Sequence, residues 1–140
     1  MSVSLELSSA LIDVQNVCHE YGTILTINQR GEAQIARDSY QSIEEYKASS
    51  APLTIYAWPV TYDPSERELD RVGIFERYQC LAYTPMKDWT DANMTFQSID
   101  ALRWTVVLEG VEWKIGKKQL SDKFAGGNLY IVLAMMKKGA

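Results

Sequence analysis

Cys18 and His19 are the first residues of this 140-residue chain whose types suggest chemistry, because a thiol beside an imidazole can form a nucleophile–base pair. His19 is the only histidine. Both residues fall inside a predicted helix, however, where neighbouring side chains point about 100° apart. The sequence also identifies no third group that would orient the imidazole. We therefore interpret His19 as a surface histidine next to a core cysteine, and we predict no catalytic residue.

Two further segments have the composition of ligand-binding motifs without their spacing. Residues 110–118, GVEWKIGKK, place five residues between two glycines where a phosphate-binding loop has four, and Lys118 replaces the Ser or Thr that would bind magnesium. Residues 88–93, DWTDAN, lack the alternating ligands of a calcium loop. We predict no metal site, no cofactor and no enzymatic activity.

Composition favours one globular domain spanning residues 1–140. Hydrophobic residues make up 46% and charged residues 23%, and the chain is long enough to bury a core. Cys18 and Cys80 are too few for a disulfide framework, so we expect reduced, buried thiols. No segment resembles a membrane span, and the first residues lack the pattern of a signal peptide, so we expect synthesis in the cytoplasm.

Nucleic-acid binding is the alternative from a different functional class. Aromatic side chains on a small barrel can stack on bases, and Lys117-Lys118 and Lys137-Lys138 add local positive charge. The formal net charge is −4, however, and the sequence shows no basic stripe that would bind phosphates. We therefore interpret the aromatic residues as core or interface, and the lysines as solubilising groups.

Hydrophobic periodicity predicts a mainly β protein. We expect a small antiparallel β-barrel or sandwich of about six strands, with an N-terminal helix and one short helix between strands. Ser8 or Ser9 would cap the first helix, which ends at Gly22. Its apolar stripe comprises Leu11, Val14, Cys18 and Tyr21.

Two turn signals fix the predicted order of the later elements. Asp63-Pro64 begins a short helix with Leu69 and Val72 facing inward, and Gly73 ends it. Glu109-Gly110 separates two alternating runs, which is typical of a two-residue hairpin. In that register the inward pairs are Leu108 with Val111, Val106 with Trp113, and Trp104 with Ile115. After a turn at Gly126-Gly127-Asn128, LYIVLAMM is apolar on both faces and should be a central strand.

The strand Thr54–Tyr62 poses a problem of coverage. Proline cannot donate to a ladder, so Pro59 places this strand at a sheet edge or a bulge. A bare edge this apolar would aggregate, so the preceding loop or another copy of the protein should cover it. Strict alternation puts four residues on one face: Tyr56, Trp58, Val60 and Tyr62. We predict a subunit or partner interface at Tyr56, Trp58, Pro59 and Tyr62.

Residues 31–51 show no clear periodicity and are predicted to form a long loop, with a short helix around 42–47 as an option. Loops of this length are usually functional or disordered.

The segments LTIYAWPVTYDPSERELDRVGIFERYQCLAYTP and LEGVEWKI, followed by a last apolar strand, resemble the head-closure proteins of long-tailed bacteriophages, also called stopper or head–tail connector proteins. The resemblance covers about residues 53–138 and is strongest at Arg67–Phe75 and Leu108–Ile115. The features that match the family residue by residue are the Asp63-Pro64 cap, the helix through Arg71, Gly73 and the Glu109-Gly110 turn.

This resemblance implies a structural protein of the virion neck. Copies would form a homo-oligomeric ring below the portal and adaptor, close the DNA-filled capsid and offer a platform to tail proteins. DNA would pass through the channel without specific binding, and no membrane would be involved. In some family members a loop gates the channel. Our hypothesis for the gate is the segment that contains Arg37, Asp38, Tyr40, Ile43, Glu44, Glu45 and Tyr46. The alternative for this segment is a disordered loop that orders against a neighbouring neck protein. The alternative for the whole chain within the virion is a different connector or tail-completion ring protein.

Overall fold

A computed structural model of the chain describes residues 5–35, 44–48, 52–74 and 76–137. Three helices and nine strands are found in these ranges. In chain order they are α1 (Leu5–Tyr21), β1 (Thr23–Asn28), β2 (Arg30–Ile35), β3 (Glu44–Ala48), β4 (Leu53–Ala57), β5 (Val60–Tyr62), α2 (Glu66–Arg71), β6 (Cys80–Pro85), α3 (Met86–Asp91), β7 (Thr105–Leu108), β8 (Val111–Phe124) and β9 (Gly127–Lys137).

Seven of the strands form one antiparallel sheet in the order β4-β1-β7-β8-β9-β6-β5. The two outermost strands, β4 and β5, are consecutive in the chain and are joined by the cis peptide Trp58-Pro59. Trp58 N donates to Tyr83 O (2.9 Å), and Tyr83 N donates to Pro59 O (3.1 Å). One bent strand therefore belongs to both edges and closes the sheet into a small barrel. The predicted mainly-β class is confirmed.

The inner face of this barrel carries the main core. Val106, Trp113 and Ile115 are buried there, as the predicted hairpin register requires. The α3 helix and the segment after it contribute Trp89 and Ile99 to the same cluster. Burying side chains of this size is the main favourable term in folding.

A second cluster lies on the outer face of β9 and β6. Leu69 and Val72 of the α2 region pack there against Val132 and Ala134. With Ile131, Leu133 and Met135 buried in the main core, β9 is enclosed on both faces. The predictions that β9 is a central strand and that Leu69 and Val72 face inward are thereby confirmed.

Two tight hairpins determine the register of β7, β8 and β9. Glu109 and Gly110 have φ angles of 50° and 78°, the left-handed pair that a type I′ turn needs. The second turn uses Ala125 and Gly126, with φ of 48° and 89°. Because Phe124 pairs with Gly127, this turn lies one residue before the predicted one, and the residues on both sides of it are strand.

The caps of α1 and α2 differ from the predictions. The α1 helix begins at Leu5, so Ser8 and Ser9 lie within it. Asp63 has a φ of 49° and cannot take the extended conformation of an N-cap. Ser65 is extended instead, and its hydroxyl accepts a hydrogen bond from Glu68 N (3.2 Å) in a capping box.

The predicted loop at 31–51 is also wrong where the structure describes it. Residues 30–35 and 44–48 are the strands β2 and β3, which form a two-stranded antiparallel sheet of their own. The optional helix at 42–47 is excluded for residues 44–47 by the β3 ladder. This hairpin is inserted between β1 and β4, whose residues Ile27 and Leu53 are direct partners in the barrel.

Replacing Trp113 by Ala should destabilise the barrel by about 3–5 kcal/mol, because it removes a large buried side chain and leaves a cavity. Trp113 is only 5% exposed. Urea unfolding would measure the change. Leu102→Ala is the matched control, since Leu102 is 94% exposed and its truncation should change stability by less than about 0.5 kcal/mol. Equal effects for the two variants would contradict this assignment of the core.

Candidate functional site

The backbone of the segment Thr54–Tyr62 is hydrogen-bonded within the chain. On one side β4 pairs with β1, and β5 pairs with β6. On the side of β4 away from β1, Tyr56 N donates to Asp88 Oδ2 (3.1 Å) of α3. The predicted position of Pro59 at a sheet edge is confirmed, because β4 and β5 are the outermost strands in the sheet order. The chain's own α3 and β6 bond part of this edge, at Tyr56, Trp58 and Pro59. Cover of the remaining edge by the preceding loop or by another copy stays a prediction.

Strict alternation along the segment also fails, because the chain bends at Trp58-Pro59. Ile55 and Ala57 face the barrel core. After the bend, Val60 and Tyr62 pair with Ala82 and Cys80, whose side chains belong to the same core. The face therefore changes across the bend, and Val60 and Tyr62 do not share the side of Tyr56 and Trp58.

Asp88 connects three elements at this edge. Its side chain is 5% exposed, and its Oδ1 accepts from His19 Nε2 (2.7 Å) and Gln15 Nε2 (2.8 Å), both on α1. With the bond from Tyr56 N, the carboxylate holds α1 and α3 against β4. Gln15 Nε2 also donates to Asp91 Oδ2 (2.9 Å), and this bond is the main reason that the pKa of Asp91 lies below its ordinary value.

Cys18 and His19 do not act together in this arrangement. The imidazole is bonded to Asp88 and stacks beside the Tyr56 ring, with centroids 4.3 Å apart. Cys18 is fully buried, and its Sγ lies 3.8 Å from Trp58 O. Burial, followed by the charge of Asp88, raises the pKa of Cys18 to about 11. The thiol therefore stays protonated at neutral pH, which disfavours a nucleophilic role.

The outer wall of the barrel carries an exposed aromatic patch, which we define as Tyr21, Ile24, Tyr56 and Trp58. Ile24 and Tyr56 are direct partners across the β1–β4 ladder, and the rings of Tyr21 and Trp58 lie 6.2 Å apart. Tyr21 is 64% exposed, Ile24 50% and Trp58 43%. Tyr21 was predicted to lie on the apolar stripe of the first helix with Cys18, but it is exposed whereas Cys18 is buried.

The predicted interface residues are divided between two places. Tyr56 and Trp58 lie in the aromatic patch, and Pro59 follows at the bend. Tyr62 lies apart from them, with its ring 6.0 Å from Trp113. Partial burial, and then the neighbouring Glu109, raises the pKa of Tyr62 above its ordinary value. The interface itself stays a prediction.

The predicted gate residues lie partly outside the described residues. Arg37, Asp38, Tyr40 and Ile43 are outside them. Glu44, Glu45 and Tyr46 lie on β3 opposite Ile35, Gln34 and Ala33.

Two of the four lysines considered for nucleic-acid binding, Lys117 and Lys118, already have partners. Lys118 Nζ donates to the carbonyls of Phe96 and Ile99 and lies 4.6 Å from the centre of the Phe96 ring. Burial lowers its pKa. Lys117 Nζ lies 3.8 Å from Glu76 Oε1. These contacts favour a structural role for both lysines over binding to phosphates.

Within the part of the chain that the structure describes, no three His, Cys, Asp or Glu side chains are grouped to hold a metal ion. None of the helices there has the length and hydrophobicity needed to cross a bilayer. The chain matches no protein-family model, no curated protein and no solved structure.

Replacing Asp88 by Asn should lower the free energy of unfolding by about 1–3 kcal/mol. Both carboxylate oxygens accept hydrogen bonds, so the amide NH2 that replaces one of them would face an N–H donor. Either the Tyr56 N or the pair on α1 would lose its acceptor. Asp91→Asn is the matched control, since this neighbouring carboxylate is exposed and shares Gln15; we expect a change below about 0.5 kcal/mol. Urea unfolding would compare the two, and equal losses would contradict the role of Asp88.

Stability should also decline in alkali. Burial raises the pKa of Cys18 from 9.0 to about 11 and that of Cys80 from 9.0 to about 12, and it is the largest cause of a rise to about 12 for Tyr78. The folded state therefore holds these protons more tightly than the unfolded chain. Their contribution is complete below about pH 9 and is lost as the pH rises toward 11 or 12. Urea midpoints across this range would show the decline.

Cys80→Ala is the control for that titration, because it removes one of the three groups. The variant should start from a lower stability and lose less of it between neutral and alkaline pH. A wild-type midpoint that stays constant up to about pH 11 would overturn the prediction.

Proposed function

We propose that the chain is a subunit of the neck of a long-tailed bacteriophage, where a ring of copies closes the filled capsid and receives the tail. The proposal combines the sequence resemblance with a barrel that presents two features suited to a ring. One is the aromatic patch on the outer wall, and the other is the inserted β2–β3 hairpin.

The inserted hairpin is the observation that supports this function most directly. Ile27 and Leu53 are partners in the barrel ladder, yet the chain between them leaves to form β2 and β3. Partners in an antiparallel ladder have Cα atoms about 5 Å apart, so a tight turn would suffice to connect β1 and β4. An element that the barrel does not need for closure is available for another task, and in some members of the family that the sequence resembles a loop gates the channel.

The aromatic patch supports the ring. The largest contiguous apolar patch on a monomer is often a functional surface. Contacts that use different surfaces on neighbouring copies can close on themselves to form a ring. The protein would then act by occupying a position in the virion, with DNA passing through the channel without specific contacts.

Replacing residues 30–50 by a short glycine-containing turn should leave the barrel folded and impair DNA retention. In the phage genome that encodes the chain, this variant should give capsids that package DNA and then lose it. Nuclease-protected DNA per particle is the measurement. Particles that retain DNA and infect normally with the deleted hairpin would contradict the gate.

Trp58→Glu should fold normally and fail to enter the particle, because a charge in the middle of the aromatic patch opposes its burial. Leu102→Glu is the matched control, since it places the same charge at a fully exposed leucine elsewhere. Circular dichroism would verify folding, and immunoblots of purified particles would measure incorporation. Normal incorporation of Trp58→Glu would remove the patch from the interface. Salt-dependent binding of the purified wild-type protein to DNA would instead favour a nucleic-acid-binding barrel.

A further inference from the structure

A depression of about 330 Å³ opens at the end of the barrel that carries the β7–β8 turn. Its lining includes Tyr62 at the end of β5, Trp113 near the start of β8 and Lys137 at the end of β9, together with Asp63 and Glu109. The mouths of β-barrels are common places for binding sites. The depression shares no residue with the aromatic patch, so it is a separate candidate site.

Trp113 leaves a hydrogen-bond donor unsatisfied in the lining of this depression. The residue is 5% exposed, and its indole Nε1 is enclosed without an acceptor among the residues that the structure describes. A buried N–H without a partner costs free energy, so an acceptor that reached it would be bound favourably. The Tyr62 ring lies 6.0 Å from the Trp113 ring and is 46% exposed, which leaves it room to turn aside and admit such an acceptor.

The rim of the depression favours a positive charge. Asp63 and Glu109 contribute two carboxylates and Lys137 contributes one ammonium group, so the negative charges are in excess. None of the ion pairs among the described residues involves Asp63 or Glu109. The exposed Tyr62 ring offers an aromatic face beside them. A planar guanidinium both stacks on such a ring and pairs with carboxylates, whereas a lysine ammonium is a compact, strongly hydrated charge.

We propose that this depression binds an arginine residue in a peptide segment of a partner protein. The guanidinium would lie between the rim carboxylates and the Tyr62 ring, and a peptide carbonyl would accept from Trp113 Nε1. An arginine side chain has donors only, so it cannot satisfy the indole N–H, but the carbonyl of its own peptide unit can. This site goes beyond the proposed function, because it is a peptide-binding site whatever the particle in which the chain is placed.

Titration with N-acetyl-arginine methylamide tests the site on the purified protein, with the indole N–H signals in ¹H–¹⁵N NMR spectra as the readout. The chain has four tryptophans, and triple-resonance assignment identifies the signal of Trp113. This signal should shift downfield with a dissociation constant on the order of 1 mM, which suits a ligand of this size. The citrulline analogue has the same shape without the charge and should bind several-fold more weakly.

Glu109→Gln should weaken binding about two- to fivefold, because it removes one rim charge. Glu20→Gln is the matched control, since Glu20 is exposed on α1 and does not line the depression, and it should leave the affinity unchanged.

Three results would overturn the proposal. They are a Trp113 signal that does not move, equal binding of the arginine and citrulline compounds, and equal affinities of the Glu109→Gln and Glu20→Gln variants. A shift of the Trp58 signal in place of the Trp113 signal would assign the ligand to the aromatic patch and overturn it as well. The outcome is independent of the neck function, because the titration needs neither a ring nor a particle.

Discussion

The buried carboxylate of Asp88 is the interaction on which the arrangement of this fold depends. It is the only charged side chain among the buried residues that the structure describes. A charge away from water must be hydrogen-bonded, and Asp88 accepts bonds from Tyr56 N, Gln15 and His19. Tyr56 belongs to β4, and Gln15 and His19 belong to α1. The Asp88 carboxylate therefore bonds a backbone N–H on the side of β4 away from β1 and also holds α1 beside that strand. These bonds help to position α1, together with the packing of its buried residues Leu7 and Cys18.

This coverage changes what the barrel can offer to a partner. An edge strand with free N–H and C=O groups associates by adding a strand. Here Tyr56 N is bonded to Asp88 and Trp58 N to Tyr83 O, so the bend between β4 and β5 is largely satisfied by the chain itself. What remains exposed is the aromatic patch, a set of side chains. Association would therefore proceed through side-chain packing, which tolerates a weak and reversible contact better than strand exchange does.

Local signals predicted the parts of this fold that are local. The Glu109-Gly110 turn fixed the register of β7 and β8, because two left-handed residues in succession permit only a tight hairpin. The burial of β9 on both faces followed from its continuous apolar run. Asp88 could not be predicted, since its partners are 32 to 73 residues away in the chain and no spacing rule connects them. The cap of α2 was misplaced by two residues because Asp63 and Ser65 are both common caps, and only the backbone angles distinguish them.

The hairpin and the aromatic patch lie at opposite ends of the β1–β4 pair, and this separation gives the proposed neck subunit two independent surfaces. Ile24 and Tyr56 are partners near the start of β1, whereas Ile27 and Leu53 are partners near its end, where the chain continues toward β2. About 10 Å of strand separates the two pairs. A neighbouring copy bound at the patch would therefore leave the connection to the hairpin accessible.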